Sequence, residues 1–231
     1  MNKYTESGRA ADDIPDDLPL TITDISVQKK NKERFSLYHN NRFLIGVSNQ
    51  TLMEYSLQKG VVLTPSLYQK LKQAEELSAV KESCYRYLSR RDHASSELKK
   101  KLIKKGFGEQ IITDVLHELA EKGYLDDEQF ALKFANEKGE LNRWGPKKIK
   151  SALYKKGLSK NIIEKVVKTV SDNLPQDQIC VDLVLKRKRH FLREEDPYKR
   201  KQKIYMYLAG RGFPGSVINQ SMPKIEARLD A

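Results

Sequence analysis

Basic side chains stand immediately before three similarly placed glycines, and this pattern has the clearest chemical meaning in the chain. The groups are Lys104-Lys105 before Gly106, Lys155-Lys156 before Gly157, and Arg211 before Gly212. Amines and guanidinium groups that recur along a protein can hold successive phosphates of a nucleic-acid strand. Each group also falls in the predicted last turn of a helix, where a cation favours the helix dipole. A solvated helix end is therefore the competing interpretation for any single lysine.

The overall charge favours the binding interpretation. The formal net charge is +12, and the segment 1–18 holds two cations against five carboxylates, so the rest of the chain stands at +15. Such a field predicts a polyanionic partner, either nucleic acid or a filament that contains it. Only 39% of the residues are hydrophobic and 32% are charged, which suits small modules with shallow cores.

No catalytic or metal-binding motif stands out in the sequence. The four histidines are scattered without ligand spacing, and neither a phosphate-binding loop nor a dinucleotide glycine fingerprint is present. The acids Asp126-Asp127-Glu128 are explained by a helix N-terminus, whose dipole favours carboxylates. We therefore expect a protein that is not an enzyme and uses no cofactor or metal.

Two cysteines and the absence of long apolar runs bear on the compartment. Cys84 and Cys180 lie on predicted apolar helix faces, as expected of buried thiols in a reducing cytoplasm. No apolar run approaches the roughly 18 residues that a membrane span needs. We expect a cytoplasmic monomer that does not associate with membranes.

The three glycines close three copies of one helical repeat. The steps from Gly106 to Gly157 and from Gly157 to Gly212 are longer than those of common two-helix repeats, so we expect three helices per unit. Apolar residues eight and four positions before each glycine share one helix face: Leu98 and Leu102, Ile149 and Leu153, Ile204 and Leu208. Only glycine takes the left-handed conformation after a helix at little cost. The pattern predicts a mainly α protein of tandem three-helix repeats that form an elongated arc.

The N-terminal third has a different period. Alternating apolar residues predict three short strands, in runs around Ile25, Leu37 and Ile45, with Asn40-Asn41 as a two-residue hairpin turn. Phe43, Ile45 and Val47 are expected on one face. Two helices should follow, the second beginning at Thr64-Pro65. The predicted organisation is an acidic disordered tail (1–18), a small β-rich cap (19–74), and repeats at 75–123, 124–173 and 174–231.

Several motifs together resemble the RecX family of bacterial recombination regulators. They are Tyr87-Leu88 with Arg90, Ser96-Glu97-Leu98, Lys101-Leu102, Lys105-Gly106-Phe107, the run from Gly123 to Ala131 that contains Tyr124-Leu125-Asp126-Asp127, and Arg143-Trp144-Gly145-Pro146-Lys147-Lys148-Ile149. The N-terminal strands resemble the extension of RecX proteins of Gram-positive type.

This resemblance implies tandem three-helix repeats similar to helix-turn-helix units, and a partner. The partner would be the RecA filament on single-stranded DNA, with non-specific duplex binding also expected. Binding would inhibit filament growth, ATP hydrolysis, strand exchange and coprotease activity, and so regulate DNA repair and the SOS response. The candidate contact residues are Arg90, Lys101, Lys104, Lys105, Arg143, Trp144, Lys147, Lys148, Lys155, Lys156, Arg187, Arg189 and Arg211. Trp144 either plugs the corner of its repeat or stacks on a base.

Two other functions stay open at this stage. A helix-turn-helix repressor would read duplex grooves, but the helix after Gly106 carries Asp114 and Glu118 where polar and basic recognition residues are needed. A scaffold for acidic proteins would use the same positive charge without nucleic acid. The third repeat also departs from the pattern, since Gly210 replaces a lysine and Arg193 to Pro197 form an insertion.

Overall fold

A computed structural model describes residues 15–230. The chain divides into two compact units after Ser83. Most of the predicted acidic tail, residues 1–14, lies outside the described residues. The elements are β1 Leu20–Thr21, β2 Asp24–Val27, β3 Arg34–His39, β4 Arg42–Ser48, α1 Asn49–Glu54, β5 Val62–Leu63, α2 Pro65–Leu88, α3 Ser95–Lys104, α4 Glu109–Glu121, α5 Asp127–Glu140, α6 Pro146–Lys155, α7 Lys160–Asn173, α8 Gln176–Leu185, α9 Lys188–Leu192, α10 Pro197–Gly210 and α11 Gly215–Asp230.

The first unit is built on a three-stranded antiparallel sheet in the order β2-β3-β4. The hairpin between β3 and β4 is confirmed, because Asn40 and Asn41 have φ angles of 46° and 66°, as a two-residue turn requires. The helix start at Thr64-Pro65 is also confirmed, since the Thr64 hydroxyl accepts a hydrogen bond from the Leu67 N–H at 3.2 Å. The two-residue strands β1 and β5 pair with each other. They are too short to show a period in the sequence.

One detail of the predicted sheet is wrong. Phe43 is predicted to share one face with Ile45 and Val47, but these two are buried whereas Phe43 is 47% exposed. A bulge shifts the register between β3 and β4, so that Leu37 faces Ile45 while Tyr38 faces Phe43. Leu44 is the extra residue, and it is buried beside Ile45. Such an insertion moves every following side chain to the other face.

The second unit contains the three predicted repeats. The last turn of α2 with α3 and α4 forms the first, α5 to α7 form the second, and α8 with α10 and α11 forms the third. The left-handed closing glycines are confirmed, because Gly106, Gly157 and Gly212 have φ angles of 77°, 75° and 94°. The predicted apolar pairs on α3, α6 and α10 are all buried.

Helix caps and buried residues define where the repeats begin and what their cores contain. Asp126 caps α5 by accepting a hydrogen bond from the Gln129 N–H at 2.8 Å, which confirms the helix N-terminus predicted at these acids. Pro175 is the N-cap residue of α8. Just before the insertion of the third repeat, the short helix α9 buries Phe191 in the core of that repeat. The predicted cap ended between residues 74 and 75, and α2 runs through both of them.

Candidate nucleic-acid interface

The second helices of the three repeats, α3, α6 and α10, carry the positive charge of the protein. Together they contain twelve lysine and arginine side chains and one carboxylate, Glu97. Their balance of +11 is nearly the whole formal net charge of +12. Each helix buries one narrow apolar face, so the basic residues lie on its remaining surface. By contrast α4 carries four carboxylates and no lysine or arginine.

Backbone hydrogen bonds join the second helices of repeats two and three. The Gly145 N–H donates to the Arg211 carbonyl and the Lys147 N–H donates to the Gly212 carbonyl, both at 2.9 Å. Free N–H groups at the start of α6 are therefore satisfied by free carbonyls at the end of α10. A Cβ on Gly212 would collide with the Cβ and backbone nitrogen of Lys148. Glycine is required here by close approach as well as by its φ angle.

The same kind of junction joins repeats one and two, but side chains supply its bonds. The Ser96 hydroxyl at the start of α3 donates to the Lys156 carbonyl at the end of α6. The Lys156 amine bonds the Glu97 carboxylate at 2.8 Å, and both side chains are only about one fifth exposed. The same amine lies 5.2 and 5.0 Å from the ring centres of Phe130 and Phe134. These contacts make Lys156 part of the junction.

The electrostatics of Glu97 fit this role. Burial alone would raise the pKa of Glu97. Hydrogen bonds from Lys156 and from Arg91, at 3.2 Å, outweigh burial and hold that pKa below its usual range. Glu97 is therefore ionised at neutral pH and compensates the charge of Lys156. The two junctions place α10, α6 and α3 head to tail, with the C-terminus of each helix against the N-terminus of the previous one.

Only some of the predicted contact residues take part in these junctions. Lys156 and Arg211 lie within them, with Arg211 also donating from its guanidinium to the Asn142 carbonyl at 3.3 Å. Lys104, Lys147 and Lys155 are exposed, and within residues 15–230 none of the three has a carboxylate at ion-pair distance. These three lysines are exposed members of the predicted set and are open to a phosphate.

Trp144 packs at the edge of the core of the second repeat and is partly buried. Its backbone N–H donates to the Lys138 carbonyl at 3.0 Å. The Lys148 amine lies 4.5 Å from the centre of its ring, and the Lys138 amine lies 6.0 Å away. This environment favours the corner plug over base stacking, because neighbouring amines already occupy the ring. Arg143, just before it, adopts a left-handed φ of 54° and is partly buried.

In the first repeat, Lys101 is held by neighbours that the sequence did not reveal. Its amine lies 2.7 Å from Nε2 of the buried His93 and 4.5 Å from the centre of the Tyr87 ring. The Lys105 amine lies 4.9 Å from the same ring. Burial, and then the charges of Arg91 and Lys101, hold the pKa of His93 below its usual range. The neutral imidazole can therefore accept a hydrogen bond from Lys101.

The remaining predicted residues are dispersed. Arg90 and Arg189 are exposed. Arg187 lies over the Tyr207 ring, with 5.1 Å between its guanidinium carbon and the ring centre, and Arg211 lies 5.7 Å from the same ring. The sequence did not predict that Ser96, His93 and Tyr207 contact the basic residues of the site. Ser96-Glu97 formed part of a family motif, but the lysine that both residues contact belongs to the next repeat.

The two cysteine thiols are not activated as nucleophiles. Burial raises the pKa of the Cys84 thiol to about 11 and that of Cys180 to about 12, so both stay protonated. Both are buried, as predicted. Over residues 15–230, no three His, Cys, Asp or Glu side chains cluster so that they could hold a metal ion. None of the helices in that range has the length and apolar character to cross a membrane.

Fold and site together define a protein of tandem three-helix domains with a small N-terminal β domain. Four family models match in the same order as these units. They describe the RecX N-terminal domain (residues 20–64) and the first (81–119), second (126–167) and third (176–222) three-helix domains of RecX. The chain belongs to the RecX family.

Individual relatives agree with this assignment. A regulatory protein RecX of Clostridium acetobutylicum is 30% identical over 207 residues, covering 89% of this chain and 96% of the relative. The regulatory protein RecX of Staphylococcus carnosus is 29% identical, covering 91% of this chain and 78% of the relative. A crystal structure of regulatory protein RecX aligns with a TM-score of 0.72 at 23% identity, covering 88% of this chain and 98% of that one. A crystal structure of RecX from Lactobacillus salivarius aligns with a TM-score of 0.62 at 24% identity, covering 67% of this chain and 99% of that one.

Proposed function

We propose that this chain regulates RecA by binding RecA filaments on single-stranded DNA. Bound there, it inhibits filament growth, ATP hydrolysis, strand exchange and coprotease activity, and so acts in recombination, repair and the SOS response. Its relatives are named regulatory proteins RecX, and the cytoplasm is the compartment in which such a partner would be met.

The charge and the arrangement of the second helices support the proposal independently of family membership. The second helices hold eleven of the net positive charges and are joined head to tail, so their basic surfaces succeed one another at the interval of the repeats. A polyanionic filament also repeats along its length. Several weak contacts made in step raise the total affinity far above that of one contact.

The exposed lysines of α6 are the first candidates for contact. Lys147 and Lys155 are exposed, and no carboxylate among the described residues pairs with either. Lys156 is a weaker candidate than the sequence suggested, because Glu97 already holds its amine. In the third repeat Arg189 is exposed, while Arg187 and Arg211 are engaged with Tyr207.

A duplex-reading repressor finds less support. Its recognition helices would be the third helices of the repeats, and α4 offers four carboxylates to a DNA groove. A scaffold for acidic proteins would use the same basic helices, and it differs from the proposed function in being indifferent to nucleic acid.

The test is ATP hydrolysis by RecA on single-stranded DNA, titrated with this protein far below one copy per RecA monomer. Inhibition at such ratios is expected of a protein that acts on the filament. Inhibition only when the protein coats the DNA would reduce the effect to competition for the strand. Lys155→Glu should weaken inhibition, whereas Lys168→Glu should not, although it makes the same charge change at an exposed site on α7. Equal effects of the two variants would remove α6 from the interface.

A further inference from the structure

The third repeat contains an open cleft beside its second helix. Its volume is about 370 Å³, and it lies between the short helix α9 and the side of α10. This volume is in the range of small-ligand sites. The lining residues are Arg187, His190, Phe191, Gln202, Lys203, Met206 and Tyr207. The cleft thus combines cationic, aromatic and apolar groups.

The aromatic groups form the floor of the cleft. Phe191 is 2% exposed and packs against Tyr207 with 5.7 Å between ring centres. The Arg187 guanidinium covers the Tyr207 ring at 5.1 Å, and Met206 stands beside them with 66% of its surface exposed. A flat guanidinium group that is backed by an aromatic ring offers its outer face to a further flat, electron-rich group.

The charges around the cleft select an anion. Residues 186–190 read Lys-Arg-Lys-Arg-His, and the four residues 186–189 are the longest uninterrupted run of lysine and arginine in the sequence. No carboxylate is among the lining residues, and Lys203, which lines the cleft, forms an ion pair with Glu194 outside that lining. Arg187 and Arg189 have no carboxylate at ion-pair distance in the part of the chain that the structure describes. An anionic ligand would therefore complete the charge balance of this surface.

Two residues that line the cleft, Gln202 and Lys203, occupy positions at which the other repeats join their neighbours. Gln202 and Lys203 stand ten and nine positions before Gly212, as Ser96 and Glu97 do before Gly106 and Lys147 and Lys148 do before Gly157. In the first two repeats these positions receive the closing turn of the next repeat. In the third repeat α10 begins one turn earlier, at Pro197, and Asp196 caps it. The backbone N–H groups of Gln202 and Lys203 thus lie inside α10 and not at its start.

We infer that this cleft, the terminal cleft, binds one nucleotide unit of a single-stranded nucleic acid. The base extends the stack of Tyr207 and Arg187 beside Met206, and its phosphate faces the basic run at 186–190. Stacking of bases on aromatic rings and on guanidinium planes is how proteins hold unpaired strands. The inference rests on the proposed function for the choice of a strand. A free nucleotide has the same chemistry, and the experiment separates the two.

The test compares two labelled oligonucleotides of equal length, oligothymidylate and its fully abasic counterpart, by fluorescence anisotropy with the full chain. The ratio of the two affinities measures base recognition and is insensitive to lost phosphate contacts. Arg187→Ala should lower this ratio about fivefold, the lower end expected for one stacked base. Arg189→Ala removes the same charge from the same segment outside the cleft, and it should weaken both oligonucleotides while leaving the ratio unchanged.

Further arms keep the inference open to refutation. Met206→Ala, at an exposed position, should lower the ratio in the same direction. Thymidine monophosphate should not displace the oligothymidylate at micromolar concentration; if it does, the cleft serves a free nucleotide. An unchanged ratio in Arg187→Ala would overturn the inference. Binding of polyglutamate that depends on Arg187, together with such an unchanged ratio, would reassign the cleft to acidic polypeptides.

Failure of this inference can be told apart from failure of the proposed function. If the ratio does not respond to Arg187→Ala while wild-type protein still inhibits RecA at low ratios, the cleft is excluded and the regulator remains. If the ratio responds but RecA is not inhibited, the proposed function is excluded and the nucleotide site remains.

Discussion

Replacing Lys156 by alanine should destabilise the repeat array by about 2 kcal/mol, the sum of a partly buried ion pair and a cation–π contact. Its amine bonds Glu97 at 2.8 Å, and both side chains are about one fifth exposed. Hydrogen bonds to charged groups contribute roughly 1.5–3 kcal/mol, whereas exposed ion pairs contribute about 0.2–1 kcal/mol, so a partly buried pair should lie near about 1.5 kcal/mol. Loss of the amine over Phe130 and Phe134 adds about 0.5 kcal/mol.

The matched control is the preceding lysine. Lys155 is exposed, and within residues 15–230 it has no ion-pair partner, so Lys155→Ala should change the free energy of unfolding by less than about 0.5 kcal/mol. Urea unfolding can be followed by the fluorescence of Trp144, the only tryptophan, which packs on the core of the second repeat. Equal losses for the two variants would refute the junction role of Lys156.

A double-mutant cycle isolates the pair itself. Lys156→Ala and Glu97→Gln should couple by about 1 kcal/mol or more, because each removes the partner of the other. A coupling energy near zero would mean that Lys156 stabilises the protein only through the phenylalanine rings. Loss of the pair should also broaden the unfolding transition, since repeat arrays unfold cooperatively only while neighbouring repeats stabilise each other.

Four further outcomes follow from the same structure. Gly212→Ala should cost at least about 1 kcal/mol more than Gly123→Ala in urea unfolding, because both have positive φ but only Gly212 lacks room for a Cβ; equal costs would deny the close approach. The pKa of Glu97 is lower in the folded than in the unfolded protein. The stability that its charge contributes is therefore present above about pH 4.3 and is lost as the pH falls through the folded pKa. The Glu97→Gln variant should not show this loss of stability in acid. The pKa of His93 is also lower in the folded protein, so the unfolded chain takes up the proton first. Stability should therefore fall as the pH drops below about 6.5. If the free energy of unfolding of His93→Gln has the same slope against pH, His93 is not the cause. Affinity for single-stranded DNA should fall with salt by about 0.7 in log K per log salt for each phosphate contacted, and a flat response measured by anisotropy would exclude phosphate contacts.

The elements of this fold were largely predictable because local rules decide them. The left-handed glycines, the Asn40-Asn41 turn and the start of α2 depend on a few neighbouring residues, and all three predictions were confirmed. The sheet register was predictable only in part. The bulge that exposes Phe43 depends on pairing between two strands, which alternation within one strand does not encode.

The candidate site was less predictable, because its residues meet across repeats. Lys155 and Lys156 are neighbours with the same side chain, yet only Lys156 finds a carboxylate, and that carboxylate belongs to the preceding repeat. Arg211 is likewise held by atoms of the second repeat. A basic pattern before a closing glycine predicts where cations stand. It cannot show which of these cations are already bound to other groups of the protein.

The different starts of the second helices determine how such an array can change in length. A repeat inserted between the second and the third would find a free helix start on one side and a closing turn on the other. A repeat added after the third would meet the extra turn of α10, where those N–H groups are already bonded. A repeat that followed the third would therefore have to join α10 through side chains, as the second repeat joins the first.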